Sequence, residues 1–452
     1  MARLILKIIN MKKVWIIVFG LSCLGLSAQK KWSLRECVDY AVEHNLQVIQ
    51  NQYSKQIQDS NLKMAKKEYL PSVSANMGNN VSFGQASLGT GSIRNDRFSN
   101  NAGLGADILI YNNGRLEKNV RKIQFDVEAS QYDIETIKND ISLQIAQQYL
   151  TVLLNKEIVK ISQSAVANAQ KQYDRAKITT QVGTTAQTIL AEAEAALARE
   201  KQNLKTADIN VGRALFAIVQ LLQLTEYKGF DVEDVNVSDT LPSQLKSVEE
   251  VLTTAYETRP EIKAAESRIK SAEAQTEVSR TAFWPTLTAN AGVSSFYNNL
   301  LNNNGTINAN QLSFFQQYKD NFGQNVGLSL NIPIFNKGIT KLQVEQSKIN
   351  QSVAKNTLEQ QKQNVRQSVQ KAQFDADANY ETFLSAMETE KSTKLALEFA
   401  DKSYTAGRTT IYEVNVARNN YANAQGSVAQ AKYNYLFSLK LLNFYSGIPL
   451  TL

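Results

Sequence analysis

Six prolines and 20 glycines in 452 residues leave few places where a helix must stop, so long uninterrupted helices are expected. One histidine, His44, and two cysteines, Cys23 and Cys37, cannot make a zinc site of the His/Cys type, a Cys-His dyad or a disulfide framework. His44 falls in a polar helix where no acid/base set converges, so the chain is read as a non-enzyme that needs no metal or cofactor. A strong basic excess is missing too. The formal charge is +7, but Arg3, Lys7, Lys12 and Lys13 stand in an acid-free N-terminal stretch; without them the balance is about +3, which argues against a nucleic-acid partner. Beyond that stretch no apolar run reaches the ~18–20 residues of a spanning helix, and the longest candidate, Val211 to Leu224, is broken by Arg213 and Gln220.

Residues 1–28 read as a secretory signal peptide. Lys12 and Lys13 give the basic region, Val14 to Leu26 the apolar one, and Ser27-Ala28 the small residues before Gln29, with Met11 as the start. Cleavage after Ala28 would remove Cys23 and leave Cys37 as a lone thiol. Lipidation of Cys23 after Gly20-Leu-Ser is the rival reading.

The remaining chain aligns with itself, and this duplication decides the expected architecture. Trp32-Ser-Leu-Arg-Glu-Cys-Val-Asp-Tyr-Ala41 lies over Lys246-Ser-Val-Glu-Glu-Val-Leu-Thr-Thr-Ala255. Tyr69-Leu-Pro71 lies over Phe283-Trp-Pro285, Tyr111-Asn-Asn-Gly114 over Phe335-Asn-Lys-Gly338, and Val182-Gly-Thr-Thr185 over Ala406-Gly-Arg-Thr409. The expected units are 29–245 and 246–452. In the first, a helical pattern from Leu34 to Tyr69 stops at Pro71, and two alternating segments follow at about 71–84 and 101–111. The second unit repeats them at about 285–297 and 325–335. Gln85 to Phe98 and Asn298 to Asn325, rich in Asn, Gly and Ser, read as long exposed loops. After Gly114 and Gly338 a helical period runs without proline to Val182 and Ala406. Some 65 residues at ~1.5 Å each make a helix of roughly 100 Å. A second helix returns from each reversal, Thr185 to about Leu224 and Thr409 to about Phe444.

The alternating segments have the length of strands that cross a bilayer at a tilt. Leu104, Ala106, Ile108 and Ile110, with Leu328, Leu330, Ile332 and Ile334, would face lipid; Gly103, Asp107, Ser329 and Asn331 would face a lumen. Tyr69, Tyr111, Phe283, Trp284 and Phe335 mark the four junctions with helices and form one interfacial girdle. Four strands cannot close a membrane barrel, so the chain must oligomerise; strand counting alone leaves dimer, trimer and tetramer open.

The duplicated helix–strand–strand–helix–helix unit, the strand starts Tyr69-Leu-Pro71 and Trp284-Pro285, the exits Ile110-Tyr-Asn-Asn-Gly114 and Ile334-Phe-Asn-Lys-Gly338, and Tyr404-Thr-Ala-Gly-Arg-Thr-Thr-Ile-Tyr-Glu-Val414 together resemble the TolC family of outer-membrane efflux proteins. The resemblance implies a mainly α fold with a membrane β-barrel portion: a homotrimer whose twelve strands make one barrel, continued by a long α-helical, coiled-coil periplasmic barrel. It implies a place in the cell outer membrane, in contact with its lipid, as exit duct of a tripartite efflux or type I secretion system. The implied partners are a periplasmic adaptor and an inner-membrane pump of the RND or ABC class.

By the same resemblance Gly183, Thr184, Thr185, Tyr404, Gly407, Arg408 and Thr409 form the periplasmic tip where the adaptor docks, and Glu413 is a candidate constriction residue. Two positions depart from the family's arginine–aspartate clamp. Thr409 stands where an arginine is found, with Arg408 one place early, and Ile189 stands where an acid is found. An exported coiled-coil scaffold or adhesin without a pore is the alternative, and it would carry no lipid-facing strands.

Overall fold

A computed structural model describes residues 31–88, 91–235, 247–301 and 312–448. The leader, the 245/246 boundary between the expected units and the middle of the second loop lie outside them. The first half of the chain runs β1 (Lys31–Trp32), α1 (Leu34–His44), α2 (Leu46–Lys67), β2 (Ser72–Ser82), β3 (Gln85–Leu88), β4 (Gly91–Arg94), β5 (Arg97–Tyr111), α3 (Arg115–Gln181), α4 (Gln187–Leu222) and β6 (Asp231–Val232). The second runs α5 (Val248–Thr258), α6 (Pro260–Arg280), β7 (Thr286–Leu300), α7 (Phe314–Asp320), β8 (Gly323–Asn331), α8 (Ile339–Thr405) and α9 (Ile411–Tyr445). Both α3 and α8 contain 67 residues.

Each half opens on the same capping chemistry. The Ser33 hydroxyl accepts from the Glu36 amide at 3.2 Å while the Glu36 carboxylate accepts from the Ser33 amide at 3.0 Å; Ser247 accepts from the Glu250 amide at 3.3 Å. The helical stretch expected from Leu34 to Tyr69 is in fact two helices. Asn45 takes an extended conformation (φ −66°, ψ 128°), donates to the Ala41 carbonyl to finish α1, and accepts from the Gln47 amide at 2.8 Å to start α2. Arg259 has nearly the same angles (φ −67°, ψ 126°) between α5 and α6, and its guanidinium lies over the rings of Phe444 and Tyr445 at 4.7 and 5.1 Å.

The chain divides into two compact units, and each draws on both halves of the sequence. One comprises residues 51–134 and 260–362 and is built on a four-stranded antiparallel sheet in the order β2-β5-β7-β8. Register puts paired residues on one face. Val73, Ala75 and Met77 of β2 lie opposite Ala106, Leu104 and Ala102 of β5; Leu104 and Ala106 lie opposite Val293 and Ala291 of β7; Ala291, Ala289 and Leu287 lie opposite Val326, Leu328 and Leu330 of β8. A single apolar face therefore crosses all four strands.

The other face is polar and carries a motif that each strand pair repeats. Asn76 and Gly78 pair with Gly103 and Asn101; Asn290 and Gly292 pair with Gly327 and Asn325. In each pair the asparagine amide folds into the space that the glycine leaves. A Cβ at Gly78 would stand 2.6 Å from Asn101 Oδ1, and one at Gly292 would stand 2.9 Å from Asn325 Oδ1 and 3.1 Å from the Leu104 carbonyl.

Several boundaries differ from the sequence reading. The β5 strand begins at Arg97 rather than about 101, because the stretch read as a loop from Gln85 holds the hairpin β3–β4 (Gln85 opposite Arg94). Likewise β7 continues to Leu300, and α7 occupies part of the second expected loop. At the other end β8 stops at Asn331. Pro333 has no N–H for a ladder, so Ile332 and Ile334, expected to be strand residues facing lipid, lie beyond the strand. Ile110 sits at an irregularity: Leu109 pairs with Thr288 and Tyr111 with Leu287, which leaves Ile110 without an opposite residue.

The second unit comprises residues 31–50, 135–259 and 363–448 of the described chain. Its core joins aromatic and alanine side chains along the helices. Ala372 and Ala376 of α8 pack with Tyr435, Leu439 and Leu442 of α9, and Tyr380 meets Tyr435 at 5.1 Å between ring centroids. A clasp that no local pattern announces is formed by β1 and β6, which pair in parallel, Lys31 with Asp231 and Trp32 with Val232. The fully buried Tyr149 of α3 points its hydroxyl at the carbonyls of Trp32 and Glu233, each 3.1 Å away. Lys156, also on α3, reaches Asp231 at 2.8 Å, Asp234 at 2.9 Å and the Val232 carbonyl at 2.8 Å; Lys31 reaches Asp234 at 2.8 Å. Nearby Cys37 is fully buried, and desolvation pushes its thiol up to about 12, which leaves it protonated and unreactive at neutral pH.

Two consequences are testable. Gly292→Val should destabilise the folded sheet by about 1–3 kcal/mol, because a Cβ there would displace the Asn325 amide, 2.9 Å away, and still press on the Leu104 backbone carbonyl at 3.1 Å, which no rotamer change can clear. Gly105→Val, on the same polar face with open space around its Cβ, should be tolerated. Thermal conversion of the folded to the unfolded band on SDS gels compares the two, and equal behaviour would refute the close approach.

The clasp makes the second test. Hydrogen bonds from Lys31 and then Lys156 hold the Asp234 carboxyl below the usual carboxylate range, and Asp234 raises the Lys31 ammonium. A depressed acid stabilises the fold above its unfolded value, ~3.9, and that contribution disappears as pH falls through the lower folded value. A raised lysine acts in the opposite sense, stabilising below ~10.4 and losing its contribution as pH climbs through the higher folded value. Lys156→Met should cost about 1–3 kcal/mol at pH 7, because it removes the donor shared by Asp231, Asp234 and the Val232 carbonyl and leaves Lys31 alone, 3.6 Å from Asp231 and 2.8 Å from Asp234, to balance both carboxylates. In thermal melts followed by circular dichroism, the gap between wild type and Asp234→Asn should close below pH ~4 and persist at neutrality.

Candidate functional site

The two glycine reversals are built by one mechanism. At the end of α3 the Gly183 amide donates to the Thr180 carbonyl at 3.0 Å and the Thr184 amide to the Thr179 carbonyl at 3.0 Å, with Gly183 at φ +77°. At the end of α8 the Gly407 amide donates to Tyr404 at 3.0 Å and the Arg408 amide to Ser403 at 2.9 Å, with Gly407 at φ +70°. This double bond pattern closes a helix when the residue past its end adopts the left-handed conformation that glycine tolerates. The Thr184 hydroxyl adds a bond to the Thr179 carbonyl at 2.9 Å.

The return helices start differently. At α4 the residue before the helix is Ala186, which offers no side-chain cap. At α9 it is Thr410, whose hydroxyl accepts from the Glu413 amide at 3.4 Å, and the Thr409 hydroxyl donates to the Glu413 carboxylate. Glu413 is thus an acid in the first turn of α9, where the helix dipole favours negative charge. Its side chain is exposed, as are Gly183, Thr184, Gly407 and Arg408; Thr185, Tyr404 and Thr409 are half-buried.

Of these residues, Thr185 and Tyr404 are brought together by a cleft of about 570 Å³ among α3, α4, α8 and α9. The Arg175 guanidinium stands 6.0 Å from the Tyr404 ring centroid, and Arg199, Glu192 and Glu200 give the cleft charge of both signs. The cleft is also lined by Arg418, which the sequence reading missed. Its side chain is only 15% exposed; it pairs with Asp401 at 3.4 Å and meets Asn415 Oδ1 at 3.4 Å. Arg418 continues the stripe of the buried Ile411 and Val414, so an arginine at an apolar helical position was the available signal.

An arginine–aspartate pair therefore exists near the second reversal. It lies within the α8–α9 hairpin and uses neither Arg408 nor Thr409. His44 is exposed, stacked on Tyr40 at 4.2 Å with its Nδ1 3.0 Å from the Tyr40 carbonyl. Among the described residues no cluster of His, Cys, Asp and Glu could hold a metal, and no helix is long and apolar enough to cross a membrane.

Comparison with known proteins places this architecture. The profile of the family described as outer membrane efflux protein matches residues 38–223 and 251–447. Outer membrane protein TolC of Escherichia coli (strain K12) is 26% identical over 317 residues, which cover 69% of this chain and 62% of that protein. Outer membrane efflux protein BepC of Brucella suis biovar 1 (strain 1330) is 22% identical over 404 residues, covering 89% and 83% of the two chains. Among solved structures, the CmeC outer membrane channel of Campylobacter jejuni superimposes with a TM-score of 0.73 at 20% identity, over 92% of this chain and 85% of that one. A CusC structure gives 0.72 at 19% identity, over 92% of both. These superpositions establish the fold, helices with strands as in the TolC-like channels. With the two matched segments covering most of the sequence, the chain belongs to the outer membrane efflux protein family.

Proposed function

We propose that this protein is the outer-membrane exit duct of a tripartite efflux or type I secretion system, taking substrate from a periplasmic adaptor and an inner-membrane RND or ABC pump. The observation that carries the reading is the sheet with its two faces. A continuous apolar face from Val73 to Leu330 suits contact with lipid, and the polar face of Asn, Ser and Gly suits a water-filled lumen. The edges of the sheet are β2 and β8. In hydrocarbon, unpaired strand edges cost several kcal/mol per group, so β8 of one copy must meet β2 of the next. Three copies close a twelve-stranded barrel of the kind the family resemblance implies. The long helices then supply the periplasmic duct, with no chemistry asked of any side chain.

The decisive experiment places single cysteines in pairs along Val73–Val81 and Val326–Leu330. Disulfide cross-linking in intact membranes should give covalent trimers on non-reducing gels, and only monomers under every pairing would sink the barrel. The same substitutions report the faces: a membrane-impermeant thiol reagent should reach Ser329→Cys from the lumen and spare Leu330→Cys. Leu328→Arg, near the middle of the band, should cost on the order of 2–4 kcal/mol.

The tip reading is a separate part of the proposal. Gly183, Thr184, Thr185, Tyr404, Gly407, Arg408 and Thr409 form the end that meets the adaptor, and three copies of Glu413 put carboxylates at its narrow mouth. Gly407→Val should abolish export while trimers still assemble; loss of trimers would reduce Gly407 to a helix cap. In planar bilayers Glu413→Gln should lower the cation-to-anion permeability ratio, and an unchanged ratio would leave Glu413 with only its helix-start role.

A further inference from the structure

The girdle read from sequence lies at the end of the sheet where the strands join helices. A second set of aromatic side chains gathers at the opposite end, around α7. Phe314 lies 5.0 Å from Tyr297 and 4.6 Å from Tyr318 between centroids, and Tyr297 meets Phe98 at 6.2 Å. Phe315 contacts Phe314 edge-on at 5.6 Å and is 82% exposed.

What fixes the helix there is the sheet edge. The β8 strand begins at Gly323, opposite Ser294, so β7 from Ser295 onward has no strand on that side. Side chains of α7 and its C-cap take the strand's place. The Gln317 amide accepts from the Asn298 N–H at 3.0 Å and donates to the Asn298 carbonyl at 3.1 Å, and the Asn321 amide donates to the Phe296 carbonyl at 2.8 Å. The Tyr318 carbonyl accepts from the Ser295 hydroxyl at 2.6 Å, and the Tyr318 hydroxyl donates to Asn100.

The face on which α7 rests follows from register. Asn100 pairs with Tyr297 and Ala102 with Ser295, and these belong to the set that continues into Leu104, Val293 and Ala291. The helix thus sits on the apolar face. Its distance from the first girdle also matches a membrane. Along β5, Tyr111 to Phe98 at ~3.3 Å per residue and a tilt of ~40° spans roughly 33 Å, as required for aromatic rims on either side of an apolar band ~25 Å tall.

We propose that α7 is an outer-leaflet lipid contact: Phe315, backed by Phe314 and Tyr318, lies at the headgroup boundary and fixes the depth at which the barrel sits. The argument rests on the reading of the apolar face as lipid-facing. Its occupant is lipid because α7 is continuous with that band, and the polar edge bonds of the helix are already spent on its own β7.

The test uses the full-length protein with a nitroxide on Phe315→Cys in a Cys23→Ala, Cys37→Ala background, reconstituted into phospholipid vesicles. Phe315 is exposed, so its loss removes no core packing. Collisions with oxygen, which concentrates in lipid, are compared with those of a water-soluble nickel chelate. The expected oxygen-to-chelate ratio lies above that of a label at Gly183→Cys and below that of one at Leu328→Cys, the position of an interfacial group. A ratio equal to that at Gly183→Cys puts α7 in water, and low collision rates with both reagents mean that another protomer covers it; either overturns the proposal. If the Leu328→Cys label itself shows no lipid contact, the lipid-facing band fails, and the proposal with it. A lipid-exposed Leu328→Cys control with an aqueous Phe315→Cys label sinks the α7 inference alone.

Discussion

A backbone amide in hydrocarbon has no water to bond, and the architecture of this chain answers that requirement at each level. Within the sheet the answer is the ladder, which runs without a break from Ser72–Asp107 to Ser294–Gly323 apart from the irregularity at Ile110. At the rim, where β8 is shorter than β7, one glutamine amide supplies both the donor and the acceptor that a neighbouring residue would have offered. At the outer edges of β2 and β8 the monomer has no answer of its own. In the duct proposed above, oligomerisation would follow from unpaired backbone rather than from a hydrophobic patch, because the apolar face would already meet lipid.

A second constraint, crowding between side chains, explains why the polar face is so rich in glycine and asparagine. Side chains on the concave side of a closed barrel crowd one another, and the Asn–Gly pairs relieve this by giving one partner no side chain and the other a compact amide. Bulk can instead be placed outward, where Val73, Met77, Leu328 and Leu330 stand 59–73% exposed in one copy. Alternation of size and polarity thus serves shape and solvent together.

How much of this was legible depended on whether a feature has a local cause. The strand faces were readable because a period of two appears in any window, and the reversals because Gly183 and Gly407 must take a conformation that other residues resist. The split at Asn45 was not, since a single asparagine between His44 and Leu46 carries no clear stop signal until its side chain is seen capping α2. The β1–β6 clasp joins two-residue strands far apart in sequence and owes its stability to Tyr149 and Lys156 of a third element. The α7 helix, embedded in an Asn-rich stretch, is too short to stand alone and exists because of the strand edge it covers. Among candidate site residues the glycines were found through backbone geometry. Arg418 lies eleven residues past Gly407, and its only signal is a charge at helical spacing from the buried Ile411 and Val414 of α9.

The two hairpins add a constraint that neither shows alone. The helices α3 and α8 have equal lengths, so Gly183 and Gly407 bring the residues around them into strict correspondence. Asp401 and Arg418, paired in the second hairpin, then correspond to Lys177 and Glu194 in the first: the same two positions with the charges exchanged. Glu413 corresponds to Ile189 and Thr410 to Ala186, so the capped, acidic helix start belongs to one hairpin only. Two hairpins of identical charge pattern would repel at matching heights, whereas exchanged patterns attract. In a closed ring of identical chains the head-to-tail symmetry already alternates first and second hairpins, and the exchanged charges are compatible with that order. Duplication supplies the common frame, and divergence of a few charges within it makes the two hairpin ends distinguishable.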